Sequence, residues 1–239
     1  MNCYNADLHI HTCLSPCGDT DMSPRNIIRI AQERNLQIIA VTDHNSTRNV
    51  RVCAELGIRN GVFVIPGCEV NTSEEVHCLC YFPSLTALDE FQVYLDSRMT
   101  DIKNDHDKFG YQVAVDENDV ILYEEERSLF MGIKDGIDDL AEVVFMLKGV
   151  FVPAHVDRSV NSLFSQLGFI PPGLKYDALE VSRHSTVEGF VKKHSELDGE
   201  FFLQNSDAHY TEDIAKAYNR FEMEEVNWNC FKSLFKHYG

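Results

Sequence analysis

Seven apolar runs of strand length punctuate this chain, at residues 7–10, 37–42, 62–66, 77–82, 150–154, 178–181 and 201–204, and helical patterns follow several of them. Such alternation predicts a mostly parallel sheet or barrel, because parallel strands need a crossover between them. Ser23-Pro24 reads as an N-cap followed by proline at the first helical position, with Ile27, Ile28 and Ala31 inward and the helix ending near Asn35. A second helix is expected from about Ser46 to Gly57. The longest is expected through Leu88, Phe91, Leu95, Met99 and Ile102, spaced by three or four. Leu140, Val143, Val144 and Leu147 suggest a further helix, and Trp228, Phe231, Leu234 and Phe235 a terminal one. Between them, extended runs at 112–115 and 120–123 flank the turn-like Asp116-Glu117-Asn118-Asp119, so a β-hairpin insertion is expected at about 110–124. No repeat, low-complexity tract or long linker divides the 239 residues, and a single domain over 1–239 is the simpler reading.

Histidines and acids gather at the ends of these runs. Asp7-Leu8-His9-Ile10-His11-Thr12 places two imidazoles on one face of the first strand, since alternate side chains share a face. His44 follows the second run and Glu69 the third; His77 opens the fourth and His155 ends the fifth. Asp207 and His209 follow the last. In a barrel of parallel strands such residues converge on one rim. Six histidines with a glutamate and an aspartate exceed what one tetrahedral zinc ion uses. They imply two or three divalent transition-metal ions, zinc, manganese or iron, with Glu69 and Asp207 in bridging positions. His106, His194 and His237 lie in helical or terminal stretches among acids and lysines and read as solvated. His184, after the sixth run, is a candidate for lining the site.

The formal net charge of −17 argues against a sequence-independent grip on nucleic acid, whose phosphates repel an acidic surface. No apolar run approaches the roughly 18 residues of a membrane span. The polar start Met1-Asn2-Cys3-Tyr4-Asn5 lacks a signal peptide's basic region, so a cytoplasmic location without membrane contact is expected. The eight cysteines read as reduced and mostly buried, with local thiol chemistry at Cys13 or Cys17 left open.

Asp7-Leu8-His9-Ile10-His11-Thr12, followed by Ile39-Ala40-Val41-Thr42-Asp43-His44-Asn45, resembles the first two motifs of the PHP family, the polymerase and histidinol phosphatase superfamily of metal-dependent phosphoesterases. Glu69, Glu75-Val76-His77, Pro153-Ala154-His155-Val156-Asp157-Arg158 and Ser206-Asp207-Ala208-His209 are similar to its later motifs, in order, over roughly residues 5 to 210. The resemblance implies an α/β fold, a distorted seven-stranded (β/α)7 TIM-like barrel, with a trinuclear metal centre at its carboxyl rim. It also implies a ligand in the loop before the first helix, for which Asp19 and Asp21 both qualify.

The expected activity is that of a hydrolase, a phosphatase or phosphodiesterase that opens a small phosphomonoester or phosphodiester with a metal-activated water and no protein nucleophile. The ligands expected are His9, His11, Asp19 or Asp21, His44, Glu69, His77, His155, Asp207 and His209. Arg158 and His184 are candidates for the substrate phosphate, with Arg48 and Arg183 weaker ones, and Asp43 is expected to orient an imidazole. The expected partner is a small phosphorylated molecule, with no long nucleic acid; the chain carries no signal for oligomeric state. Two competing readings are a metal-binding regulatory domain without turnover and a nuclease acting on short single-stranded oligonucleotides.

Overall fold

In the computed structural model, which describes residues 1–235, the sheet starts from three parallel strands. These are β1 (Asn2–Ile10), β2 (Ile38–Val41) and β3 (Phe63–Asn71), connected by helices α1 (Pro24–Glu33) and α2 (Val50–Asn60). β4 (His77–Tyr81) folds straight back on β3, antiparallel. Then come α3 (Leu85–Arg98), α4 (His106–Phe109), a hairpin of β5 (Val113–Val115) and β6 (Ile121–Glu124), and α5 (Ile137–Met146). β7 (Val150–Pro153) joins β4, again antiparallel. After α6 (Leu163–Gln166), β8 (Leu179–Glu180), α7 (Val187–Val191) and β9 (Phe202–Leu203), strand β10 (Asn219–Met223) pairs antiparallel with the start of β1, and α8 (Trp228–Lys232) follows. His237 lies outside the described residues.

The outcome is a curled half-barrel sheet of six strands in the order β10-β1-β2-β3-β4-β7, with β8 and β9 paired parallel in a sheet of their own. A continuous barrel of seven parallel strands is not what the ladders form. Only residues 72–76 separate β3 from β4, too few for a crossover, so the chain turns back on itself. The apolar runs at 178–181 and 201–204 shrink to two paired residues each. Near them, side chains replace the backbone ladder: Phe151 N–H donates to Asp177 Oδ2 at 2.8 Å and Leu8 N–H to Asn205 Oδ1 at 3.0 Å. β10 escapes the sequence pattern because only Phe221 and Met223 of its five residues are buried.

The helices follow the apolar spacing with informative shifts. α1 carries Pro24 at its start, is capped by Ser23 Oγ and buries Ile27, Ile28 and Ala31. α2 begins four residues after the expected Ser46, because the preceding segment is recruited elsewhere. Asn49 Nδ2 donates to Thr12 Oγ1 at 2.8 Å, and its Oδ1 accepts from Val115 N–H at 2.9 Å. One asparagine thereby ties the loop after β1 to the hairpin. α3 stops at Arg98, leaving Ile102 half exposed.

Two apolar layers flank the sheet. Ile39 and Val41 of β2 face α1 and α2, while Ile38 and Ala40 point into an inner plug with Ala6, Leu8, Ile65, Leu79, Tyr81, Val150, Val152 and Phe231 of α8. Each such buried side chain stabilises by about 1.5–3 kcal/mol. The plug ends where the polar cluster begins. Leu8 belongs to it, but Ile10 packs with the opposite layer, and the β1–β2 register shifts between Asp7 and Ile10. Bulges of this kind re-aim side chains beside functional sites.

Candidate metal centre

Glu69 stands within β3, two residues from its end, and reaches imidazoles from four separate segments. Its Oε2 lies 3.3 Å from His9 Nε2, 3.3 Å from His11 Nε2 and 3.2 Å from His44 Nδ1. Its Oε1 lies 3.1 Å from His77 Nδ1 and 3.1 Å from His155 Nε2. Asp207 Oδ1 closes the group at 3.4 Å from both His9 Nε2 and His11 Nε2, and 3.5 Å from His209 Nδ1. The HxH spacing does what strand geometry predicts: the two Nε2 atoms are 3.2 Å apart. Glu69, His9, His11 and His155 are almost wholly buried.

The two imidazoles of the HxH pair are held from behind. Glu180, at the end of β8, accepts from His9 Nδ1 at 3.1 Å, from His155 N–H at 2.9 Å and from Asn205 Nδ2 at 2.7 Å. One carboxylate thus fixes segments that follow β7 and β9 against β1. His11 Nδ1 faces Ser15 Oγ at 2.9 Å, and Ser15 donates to Asp43 Oδ1 at 2.7 Å. Asp43 also accepts from Thr12 N–H and Thr12 Oγ1, each at 2.7 Å. The expected orienting role of Asp43 is therefore exercised through a serine. Fixing the far ring nitrogen in this way sets the tautomer and leaves the near one aimed at the centre.

The backbone is bent to match. His155 (φ 29°) and Asp207 (φ 49°) both adopt left-handed conformations that non-glycine residues avoid. Each costs on the order of 1–3 kcal/mol and persists only where the surroundings over-determine it. The short parallel bridges His44–Glu69 and Ile10–Ala208 fix the loops that carry His44 and Asp207.

The electrostatics suit a cation. Burial works against charge on Glu69, yet His9, His77 and His44 hold its carboxyl well below the usual range. Asp207 is likewise held well below, against burial, by His9 and His11. Burial, with like-charged neighbours, pushes His44 well below the ordinary imidazole range and His209 down to about 4. Ionised carboxylates and neutral imidazoles are the forms that bind metal. His9 and His11 behave oppositely: despite burial, surrounding carboxylates hold His9 well above its usual range and His11 up to about 9. Protons on these two rings balance negative charge that a cation would otherwise balance. A metal also fits the donor set directly. Among the described residues, three overlapping groups have ligand atoms within 4.8 Å of one another: His9–His11–Glu69, His44–Glu69–His77 and His11–Cys17–His44–His209.

That last group offers a loop donor other than the expected aspartates. Asp19 and Asp21 do not join any of the three groups. Asp19 Oδ1 instead accepts from Asp21 N–H at 2.8 Å within the loop, and Asp19 N–H donates to His209 O at 2.9 Å. Cys17, although exposed, brings its Sγ within 4.8 Å of ring nitrogens of His11, His44 and His209. Gly18 makes this possible: a Cβ there would come within 2.2 Å of Thr12 O, so only glycine lets the loop close so tightly over the histidines. The signal in the sequence was Cys17-Gly18 directly after the HxH strand. Glu180, Ser15 and Asn205 were also missed, since single polar residues at run ends carry no spacing pattern.

Arg158 Nη1 donates to Asp207 Oδ2 at 2.9 Å, with its side chain 40% exposed. Arg158 and His184 line one cleft with Cys17, Asp207 and His209, of about 380 Å³. Arg183 lines it too, paired with Asp213 at 3.0 Å. Arg48 is elsewhere, paired with Asp96 and stacked 4.4 Å over the Tyr123 ring. His106 is exposed and pairs with Glu124. His194, expected in solvent, packs instead against Phe164 and Phe190. Among the described residues, no helix is long and apolar enough to cross a membrane.

The fold is shared with endonuclease Q. The lesion-specific endonuclease from Pyrococcus furiosus superposes with a TM-score of 0.77 at 21% identity, covering 100% of this chain and 57% of that one. An endonuclease Q bound to a 27-mer duplex with an abasic lesion at its active site gives 0.73 at 21% identity, covering 97% and 56%. In sequence, 65 residues are 35% identical to a phosphoribosyl 1,2-cyclic phosphate 1,2-diphosphodiesterase from Eggerthella lenta, 27% of this chain and 24% of that protein. The chain spans about half the length of the curated relatives and endonuclease Q chains that it matches.

The likeness to endonuclease Q overturns the expectation that long nucleic acid is excluded. A net charge sums over the whole surface, whereas a phosphate backbone meets the local potential. An endonuclease Q that shares this fold over 56% of its length is complexed with a duplex substrate. The PHP domain profile matches residues 7–159, a span that contains Glu69 and the five imidazoles around it. The chain belongs to the PHP domain family.

Proposed function

We propose that this chain is a hydrolase of phosphoester bonds working with two or three divalent transition-metal ions, zinc, manganese or iron. His9, His11, Cys17, His44, Glu69, His77, His155, Asp207 and His209 would hold them, within one PHP unit over residues 1–239. The observation that carries this reading is a single buried carboxylate, Glu69, within 3.3 Å of five imidazoles. An arrangement of that kind has no purpose in packing. Bound cations would lower the pKa of a coordinated water toward about 7 and would offset charge on phosphoryl oxygens.

The protein's own groups do the rest. Glu180 and the Ser15–Asp43 pair keep His9 and His11 in one tautomer and orientation. Arg158, at the open side of Asp207, offers a guanidinium whose planar fork matches a phosphate. His184, on the same cleft, is placed to hold a further substrate oxygen. The substrate of this reading is a small phosphomonoester or phosphodiester. A second reading is favoured by the likeness to endonuclease Q: scission of a phosphodiester in nucleic acid.

Elemental analysis of protein purified without added metal, run beside phosphate release from nucleotides, sugar phosphates, histidinol phosphate and bis-p-nitrophenyl phosphate, tests the proposal. Asp207→Ala should lose bound metal and hydrolysis together while the fold survives. A metal-free native protein, or full metal with no turnover on any of these substrates or on a duplex bearing an abasic site, defeats it; the latter outcome leaves a regulatory domain.

A further inference from the structure

Val120, Ile121 and Leu122 of the hairpin are 56%, 61% and 70% exposed, and Tyr123 follows at 39%. Among the described residues this is the one run of consecutive large apolar side chains left in solvent. Scattered exposed apolar residues are ordinary, whereas a contiguous patch marks an interaction site. The backbone beneath is a sheet edge, for β6 pairs with β5 alone. Residues 102–104 begin a line on its other side, where Lys103 bridges Arg127 and Asn104 N–H donates to Glu126 O at 2.7 Å. The chain then turns into α4 and leaves β6 uncovered. Residues 120–124 contain neither lysine nor proline, the usual guards of such an edge. The edge is also built in advance. Asn49 Oδ1 holds Val115 N–H at 2.9 Å, and buried Gln112 donates through Nε2 to Glu125 O at 2.9 Å and Arg127 O at 2.7 Å. A partner added here need not order the protein as well.

Charge narrows the choice of partner. Acids bracket the apolar strip, Asp116, Glu117 and Asp119 before it and Glu124 and Glu126 after it. Glu117 pairs with Arg59 and Glu124 with His106, whereas Asp119 and Glu126 have no ion pair among the described residues. A second copy of the chain fits such an edge badly. Antiparallel pairing about Leu122 or Tyr123 would lay Glu124 on Val120 or Leu122 of the copy, acid against apolar. The same acids favour a strand with cations at its ends, which gives the edge both attraction and discrimination. We infer that β6 docks an extended segment of another protein, apolar at alternate positions and carrying lysine or arginine at both ends, which adds a strand to the hairpin. The inference stands apart from the proposed hydrolysis.

Fluorescence anisotropy of the full chain with the labelled peptide Lys-Lys-Val-Thr-Val-Thr-Val-Lys-Lys tests this. Two further peptides serve as controls: one with glutamate for every lysine, and one with proline for each threonine, which keeps the charges but cannot form a strand. The first should bind saturably and the controls about tenfold more weakly or less. Leu122→Lys alters an exposed side chain and should weaken the first peptide by about tenfold, through lost apolar contact and added repulsion. Met146→Lys makes the same change of charge at an exposed methionine of α5 and should leave the affinity as it was. Absence of saturable binding, equal binding of all three peptides, or unchanged affinity in folded Leu122→Lys protein overturns the docking edge. So does a wild-type dimer in sedimentation velocity that Leu122→Lys dissolves, since a second copy would then cover β6. None of these measurements needs turnover, so a silent hydrolysis panel refutes the proposed activity alone.

Discussion

Residues 2–6 of β1 lie in an unbroken ladder with β10, whereas the pairing with β2 shifts register between Asp7 and Ile10, and side chains there supplement the backbone bonds. At the first end the ladder carries the strand although only Ala6 of its five residues is buried. At the second, Asn205 accepts from Leu8 N–H, Glu180 accepts from His9, and Ser15 accepts from His11. The regular end of the strand is specified by its backbone pairing. The irregular end, wholly buried, draws on polar partners as distant in sequence as Glu180, 171 residues from His9, and Asn205, 197 residues from Leu8.

The sharpest way to separate the two ends is Glu69→Gln. An amide cannot hold the five imidazoles through charge, so bound metal and hydrolysis should fall below about one part in a thousand. Far-UV circular dichroism should stay native. Metal content near wild type would show that the rim does not depend on this carboxylate.

Leu79→Ala probes the inner plug where it adjoins the centre, since Leu79 is the cross-strand partner of Glu69 in the β3–β4 ladder. Leu79 is fully buried in the inner plug, and its truncation should cost about 2–5 kcal/mol in denaturant unfolding. Metal stoichiometry below the melting transition should be kept. A loss of metal as large as that of Glu69→Gln would mean that plug and rim are one cooperative unit.

The smallest effect is expected at the seam, from Glu180→Gln. The amide retains an acceptor for His155 N–H but loses the charge behind His9, and metal affinity measured by chelator competition should fall about 10- to 100-fold. No change would remove Glu180 from the support of the centre.

The same contrast explains what could be read from the sequence. His9, His11, His44, Glu69, His77, His155, Asp207 and His209 were legible because each sits at the end of an apolar run, and strand ends of one sheet meet. Helix α1 was legible because Ser23-Pro24 is a local signal. Cys17 was not, because its approach to the histidines follows from a loop closing over Thr12, a contact that only Gly18 betrays. The reversal at β4 was encoded in a missing helix rather than in any residue present. Glu180 was hidden because its three partners come from three segments brought together only by folding.

The order of the ligands along the chain has a consequence for biosynthesis. His9 and His11 leave the ribosome long before the partners that complete their surroundings, Glu180, Asp207 and His209. A chain made only as far as residue 179 can present imidazoles but not the finished cage. Assembly of the whole cluster therefore waits until residue 209 has been made.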